Sequence, residues 1–421
     1  MRVWLFALLL AVPFSYGLLV ESTNVIGGHP VLYGDVIAYE RDGFVYVFDL
    51  SRDEEREIAR GSNPFLFGFT VAFETKESDV DLNEDGDKED VVIQFANVQD
   101  KSVVNTKAVG KNPVVFSSFI VFSTNEKDLG VDFSNDADLS DDILRQYDID
   151  KKDVVNLKAV GDFPALNQHS LVFLTDEHQV NIDLNGDGDK KDMVLRVFDK
   201  ETRQVSNAKI AASRPFIAKT GKAVFVSGDE IVVFDAKSQK VVETGVVGSS
   251  PSIFGDVVLF ERDENLYGLS LDSIRVAKLN VAGMMPSVFE NSVAFVSSEG
   301  VLGDLNNNGN QNDLIVRFAR EEDIDGDDVF DFVDNCPAAI NEDQDDSDKD
   351  GVGDECEVES KKPEEREEVE EQSTVQGEAE APVSESKGIA WYWYLPLIIA
   401  LPFVVYYGYK YYKKKQKSFG F

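Results

Sequence analysis

The chain has 421 residues, 43% of them hydrophobic and 28% charged, which supports a large packed core and excludes a chain disordered throughout. Its formal net charge of −37 excludes a nucleic-acid partner, whose phosphates are held by Lys and Arg, and makes cations the expected small partners.

Residues 1–17 read as a secretory signal peptide. Arg2 supplies the positive start, Val3 to Val12 form an apolar stretch too short to span a bilayer, and Ser15, Tyr16 and Gly17 end it at the cleavage positions.

From residue 18 to 322 the chain repeats itself. "GGHP", "GSNP", "GKNP", "GDFP", "ASRP", "GSSP" and "GMMP" place prolines at 30, 64, 113, 164, 215, 251 and 286, six of them with glycine three residues earlier and one, Pro215, with Ala212. Each proline is followed by short β-branched and aromatic runs bounded by Gly, Pro, Asn and Asp, the composition of strands. Four such runs per repeat predict propeller blades, and seven repeats predict an all-β, seven-bladed propeller. Proline is expected to open each innermost strand and glycine to set the tight turn from the preceding blade. The seventh repeat stops at "LIVRFAREED" without a fourth run, while "VESTNVIG" precedes the first proline and matches blade ends such as "VVNTKAVG". The N-terminal segment should therefore complete the last blade and remove its exposed edge. Over residues 19–322 the pattern resembles TolB-like and WD40-like propeller repeats, with "IAYERDGFVYVFDL" (37–50) the nearest stretch. That resemblance implies architecture, not activity.

Repeats two, three, four and seven carry a long acidic insertion between their second and third strands: "DLNEDGDKED", "DFSNDADLSD", "DLNGDGDKKD" and "DLNNNGNQND". Oxygen-bearing side chains fill positions 1, 3, 5, 7 and 10 of each. They are Asp81, Asn83, Asp85, Asp87 and Asp90; Asp132, Ser134, Asp136, Asp138 and Asp141; Asp183, Asn185, Asp187, Asp189 and Asp192; and Asp304, Asn306, Asn308, Asn310 and Asp313. Two carboxylates about 4 Å apart repel by about 4 kcal/mol at an effective dielectric of about 20. In the fourth repeat, Lys190 and Lys191 are too few to offset this. Asp, Asn and Gly favour hairpin turns in any case, but four recurrences at one blade position favour a metal. Alternating oxygens on a tight turn suit Ca²⁺, which takes six to eight of them. The first half of the loops in repeats two, four and seven follows the calcium pattern D-x-[DN]-x-[DN]-G, while the second half departs from an EF-hand in having no glutamate at position 12 and no flanking helices. The whole is similar to the loops of integrin-type propellers, with the last aspartate one position later. Ala137 in place of glycine, and Asn308 and Asn310 in place of aspartate, mark the third and seventh repeats as weaker sites.

Residues 323–357 form an acidic stalk with 12 Asp and 3 Glu against Lys349 alone, and with too few apolar residues for a core. Its Cys336 and Cys356 are the only cysteines, and in a chain placed outside the cell they are expected to form a disulfide. The stretch resembles thrombospondin type 3 repeats. That resemblance implies calcium ligation by Asp323, Asp325, Asp327, Asp331 and Asp334 in one half and by Asp346, Asp348, Asp350 and Asp354 in the other, with Asp328 standing where the pattern has glycine.

Residues 358–387, rich in Glu, read as a solvated spacer. Residues 388–409 carry no charge and, as a helix, would span a bilayer, with Trp391, Trp393, Tyr406, Tyr407 and Tyr409 near the ends. The basic tail, 410–421, is expected to stay in the cytoplasm and the bulk of the chain outside the cell.

His29, His169 and His178 are the only histidines, each near a turn, and no nucleophile triad, phosphate loop or dinucleotide fingerprint occurs. The expected function is therefore non-enzymatic: a membrane-anchored, calcium-binding propeller that recognises or adheres to a protein or glycan at the cell surface. The alternatives are a propeller hydrolase or lyase acting on extracellular polysaccharide or peptide, which carboxylates clustered around the central channel would favour, and a structural component of the envelope.

Overall fold

The computed structural model describes residues 19–100, 102–271, 274–320, 325–327, 329, 331, 334–347 and 352–357. The expected signal peptide, spacer, membrane span and cytoplasmic tail lie outside these residues. No helix among the described residues is long and apolar enough to cross a membrane.

Seven four-stranded antiparallel sheets follow one another along the chain. The first blade is Gly28–Tyr33, Val36–Arg41, Phe44–Asp49 and Glu54–Arg60, hydrogen-bonded in that order from the innermost strand outwards. In the last blade Met284–Phe289, Ser292–Ser298 and Leu314–Arg320 are completed by Leu19–Ile26, which pairs antiparallel with Leu314–Arg320. The Thr23 hydroxyl also donates to the Val316 carbonyl at 2.5 Å. The chain's beginning thus closes the ring as the repeat count predicts.

The repeat glycines serve a different purpose from the turn expected of them. None of Gly27, Gly61, Gly110, Gly161, Gly248 and Gly283 has a left-handed φ. A Cβ on any of them would instead lie 2.4–2.6 Å from a ring carbon of Tyr39, Phe73, Phe122, Phe173, Phe260 or Phe295, the fully buried aromatic of the second strand. Glycine is required because a ring occupies the space of its missing side chain. The fifth blade has Ala212 at this position, facing Phe225, and its innermost strand shrinks to Phe216–Ile217.

The prolines also sit differently. In six blades the innermost strand starts two residues before the proline, which follows a bulge whose central residue is left-handed: His29, Asn63, Asn112, Phe163, Ser250 and Met285, with φ between 49° and 53°. The bulge leaves the proline nitrogen without a ladder partner to miss.

By this up-and-down topology, the acidic insertions and the blade-to-blade links share one face of the propeller. The turns after the first and third strands share the other.

Candidate metal centres and the channel mouth

The four acidic loops are built on a residue that stands outside the ten-residue pattern. Immediately after each second strand stands a glutamate that is at most 3% exposed: Glu77, Glu126, Glu177 or Glu299. Its backbone N–H donates to the carbonyl of the position-10 aspartate at 2.9–3.0 Å, closing the neck of the loop. One carboxylate oxygen accepts the backbone N–H groups of positions 2 and 3, as Glu126 does from Phe133 at 2.6 Å and Ser134 at 2.7 Å. In blades two, four and seven the other oxygen accepts the N–H of Asp90, Asp192 or Asp313 at 3.2–3.3 Å. The signal was present in the sequence as a glutamate at the end of each second run. A spacing of four to six residues between it and position 1 hid the regularity. Three of the loops also hold a single helical turn, Glu126–Leu129, Glu177–Val180 and Glu299–Leu302, that the strand pattern did not predict.

The position-1 aspartates face the backbone. Asp81, Asp132 and Asp183 each accept two N–H groups, from positions 4 and 6, at 2.5–3.0 Å, and Asp304 accepts those of Asn308 and Gly309. The oxygens that converge come from elsewhere. Glu77, Asp87 and Asp90, then Asp136, Asp138 and Asp141, then Glu177, Asp189 and Asp192 each bring three carboxylate oxygens within 4.8 Å of one another. Asp85 and Asp187 stay beside these groups, receiving the Asp87 and Asp189 N–H at 3.1 and 2.9 Å. Asn83 and Asn185 turn their amides to Asp90 and Asp192, each at 2.7 Å.

Electrostatics ranks the loops. Burial, followed by the neighbouring carboxylates, pushes Asp90 up to about 6 and Asp141 up to about 6. Asp192 is held down by the Asn185 amide but raised on balance by burial and by Asp187. In blade three, Glu126 Oε2 and Asp141 Oδ1 are buried and accept no hydrogen bond. Buried carboxylate oxygens without a donor are costly, and a cation is the partner that suits both. The third repeat, marked weaker in sequence for its Ala137, is therefore the loop with the greatest need of one. Blade seven is the reverse. Asn306, Asn308 and Asn310 all donate to Asp313 Oδ2, at 3.2, 2.6 and 3.2 Å, and hold Asp313 below the usual carboxylate range, Asn308 most strongly.

In the stalk Cys336 and Cys356 form the expected disulfide. Asp325, Asp327 and Asp334 bring their oxygens within 4.8 Å of one another, and Asp334 Oδ2 is buried without a donor. Burial raises the Asp334 pKa. Asp331 is buried but is not in that group of three, whereas Asp354 is engaged by the Ser347 N–H at 2.8 Å and hydroxyl at 2.6 Å, and Asp346 joins no cluster of three among the described residues. The candidate ligands Asp323, Asp348 and Asp350 lie outside the described residues. The stalk, expected to have no core, does have a small one made of amides. Asn335, Asn341 and Gln344 are buried, and the Asn335 N–H donates to Gln344 Oε1 at 2.9 Å. Val329 packs against the apolar cluster of blades six and seven, and Arg275 Nη1 donates to the Asp334 carbonyl at 3.2 Å.

On the acidic-loop face the channel mouth carries carboxylates at one repeat position of the second strand: Glu40, Glu74 and Glu261 accept the N–H of Asn63, Asn112 and Met285 at 2.8, 2.7 and 3.4 Å. Each receives the left-handed residue of the next blade, so the set staples blade to blade. Asp162 joins them, accepting from Phe163 N–H at 2.7 Å and pairing with Lys111 at 3.1 Å. His29 Nδ1 lies 2.7 Å from Glu40 Oε1; the bond raises the His29 pKa and lowers that of Glu40. His169 and His178 sit in a turn and a helical turn, away from the channel lining.

No family model matches the chain, and no curated protein matches it. Solved structures match it as folds. The β-propeller domain of the trilobed protease from Pyrococcus furiosus, described as having an open velcro topology, aligns at 12% identity and TM-score 0.46 over 64% of this chain and 88% of that one. Oligogalacturonate lyase from Vibrio parahaemolyticus aligns at 12% identity and TM-score 0.47 over 72% and 92%. TolB from Acinetobacter baumannii aligns at 14% identity and TM-score 0.39 over 60% and 64%. At these identities the likeness is one of fold alone.

Proposed function

We propose that this protein is a calcium-loaded recognition propeller, exported and held at the cell membrane by residues 388–409, that binds a surface or extracellular protein or glycan on the face bearing its acidic loops. The observation that carries the calcium reading is the buried, donorless Asp141 oxygen in a residue clustered with Asp136 and Asp138, with a second such oxygen on Glu126, whose charge also raises Asp141. An all-oxygen, carboxylate-rich donor set of this kind suits a hard cation such as calcium rather than a metal that prefers nitrogen or sulfur. The aspartate register of 323–357 and the Asp325, Asp327 and Asp334 cluster extend the same reading to the stalk. The test is affinity capture of surface partners by the protein with and without chelator, alongside elemental analysis of bound ions. Calcium-dependent capture of a defined partner is the expected result. Capture that ignores chelation, with no ion bound, rejects it.

A second reading, a hydrolase or lyase acting on extracellular polysaccharide or peptide, is favoured by the carboxylates at the channel mouth and by the exposed His29 paired with Glu40. A histidine held by a carboxylate is a candidate general base. Turnover of a polysaccharide or peptide substrate that His29→Ala abolishes would establish this reading in place of recognition.

A further inference from the structure

The opposite end of the channel carries a different chemistry. The last residue of each innermost strand lies there, and in five consecutive blades around the ring it is aromatic: Phe254, Phe289, Tyr33, Phe67 and Phe116. Successive ring centroids are 5.6, 4.4, 4.9 and 4.8 Å apart, so the rings form a continuous arc. Blades four and five interrupt it: three residues after Pro164 and Pro215, where the other blades carry their ring, stand Asn167 and Ala218, and the Asn167 amide donates to the Ala218 carbonyl at 2.9 Å.

Two lysines flank that gap. Lys200, in the turn after the third strand of blade four, places Nζ 5.4 Å from the Phe116 centroid, at one end of the arc. Lys219, in the turn after Ile217, places Nζ 6.0 Å from the Phe254 centroid, at the other end. The chain holds 78 acidic residues against 41 Lys and Arg. Even so, the lysine ion pairs among the described residues involve Lys107, Lys111, Lys151, Lys191 and Lys222, and neither Lys200 nor Lys219. Among the described residues Lys200 donates only to the Asn167 carbonyl, at 3.2 Å, and burial lowers its pKa. Cations left without carboxylates in so acidic a chain, both beside aromatic faces and one of them, Lys219, lining the channel cavity, form a site for an anion with an apolar body. The channel cavity, lined from Asn63, Asn112 and Arg214 at the acidic-loop end to these rings, measures about 240 Å³ along its whole length, below the usual range of about 300–1,000 Å³ for drug-sized ligands, which limits the occupant to one or two rings.

We propose that this end of the channel binds a small aromatic carboxylate, with its rings against the Phe254-to-Phe116 arc and its carboxylate between Lys200 and Lys219. The site is separate from the acidic-loop face and needs no cation.

The test is calorimetric titration of the full chain with 2-naphthoate and with its uncharged counterpart 2-naphthylmethanol, in calcium and in chelator. Saturable naphthoate binding is expected. It should weaken at least tenfold in the alcohol and in the Lys200→Gln, Lys219→Gln variant, and should be unchanged by chelation. Phe67→Ala should also abolish it. Lys219 is exposed, so Lys219→Gln alone carries the test if the Phe67 variant does not fold. Absence of saturable binding overturns the proposal. So does equal affinity for acid and alcohol, equal affinity in the lysine variants, or loss of binding on chelation.

Discussion

The acidic loops of blades three and seven share one frame and solve its electrostatics in opposite ways. In both, a buried glutamate closes the neck, Glu126 to Asp141 and Glu299 to Asp313, and accepts the N–H groups of positions 2 and 3. They part at positions 5 and 7. Blade seven has Asn308 and Asn310, whose amides converge on Asp313. Blade three has Asp136 and Asp138, which cannot donate when ionised and which cluster with Asp141, and Asp141 Oδ1 and Glu126 Oε2 are both buried without a partner. Such a turn therefore closes without a metal wherever amides supply the donors. The demand for a cation arises from charge, not from the path of the backbone.

The largest effect expected from this contrast follows cation removal. A site filled at a hundred times its dissociation constant stabilises the fold by about 2.7 kcal/mol, so exhaustive chelation should lower the thermal midpoint at neutral pH by an amount summed over blades two, three and four. Amide exchange should rise in those loops while 299–313 keeps its protection. An unchanged midpoint, with no stoichiometric ion found by elemental analysis, breaks the comparison.

Exchanging the two chemistries should have the next largest effect. Asp136→Asn with Asp138→Asn gives blade three its own donors. Stability in chelator should rise by about 1–3 kcal/mol, the usual cost of an unsatisfied buried polar group, and the response to calcium should shrink. Asn308→Asp with Asn310→Asp should do the reverse in blade seven. Denaturant midpoints with and without calcium read both, and identical shifts in the two loops would contradict the contrast.

Protonation offers a third, smaller signal. Asp90 and Asp141 are pushed up to about 6, above the ordinary carboxylate value of about 3.9. In the cation-free fold they bind protons more tightly than in the unfolded chain, so their contribution to stability falls as pH rises from about 4 to about 6 and is level above that. Calcium added near pH 5.5 should release protons from blades two and three, measurable by titration in weak buffer. Asp313, whose pKa is lowered, contributes with the opposite sign: its stabilisation is present above the ordinary range and is lost as pH falls. Asp313→Asn should leave proton release unchanged, and a fall in release would place the titrating group in the wrong loop.

The smallest effect concerns Ala137, which holds φ at 79° where the matching residue of blade two is Gly86 at 107°. Ala137→Gly should raise the unfolding free energy, read from denaturant titration, by about 1 kcal/mol or less, since glycine adopts this region without steric cost. A drop in stability would show that the methyl group packs usefully.

Much of this molecule was legible along the chain because its repeats are local. Proline spacing, the seventh repeat's missing strand and the apolar runs predicted seven blades and their closure by residues 19–26. What spacing could not reveal was direction. Asp81 and Asp183 look like leading metal ligands in sequence, yet their carboxylates turn to backbone N–H groups, while Glu77 and Glu177, outside the pattern, join the clusters. The role of Gly161 was equally hidden, because its neighbour Phe173 lies on another strand.

Sequence alone determined the architecture and the placement of charge, since strand periodicity, turn residues and acidic insertions act within a few residues of one another. Tertiary structure alone decided which carboxylates lose their solvent, which of those find an amide and which do not, and that five aromatic residues from five blades meet at one end of a channel. Desolvation and convergence depend on neighbours distant in the chain, and in a closed ring every blade's inner strand has such neighbours.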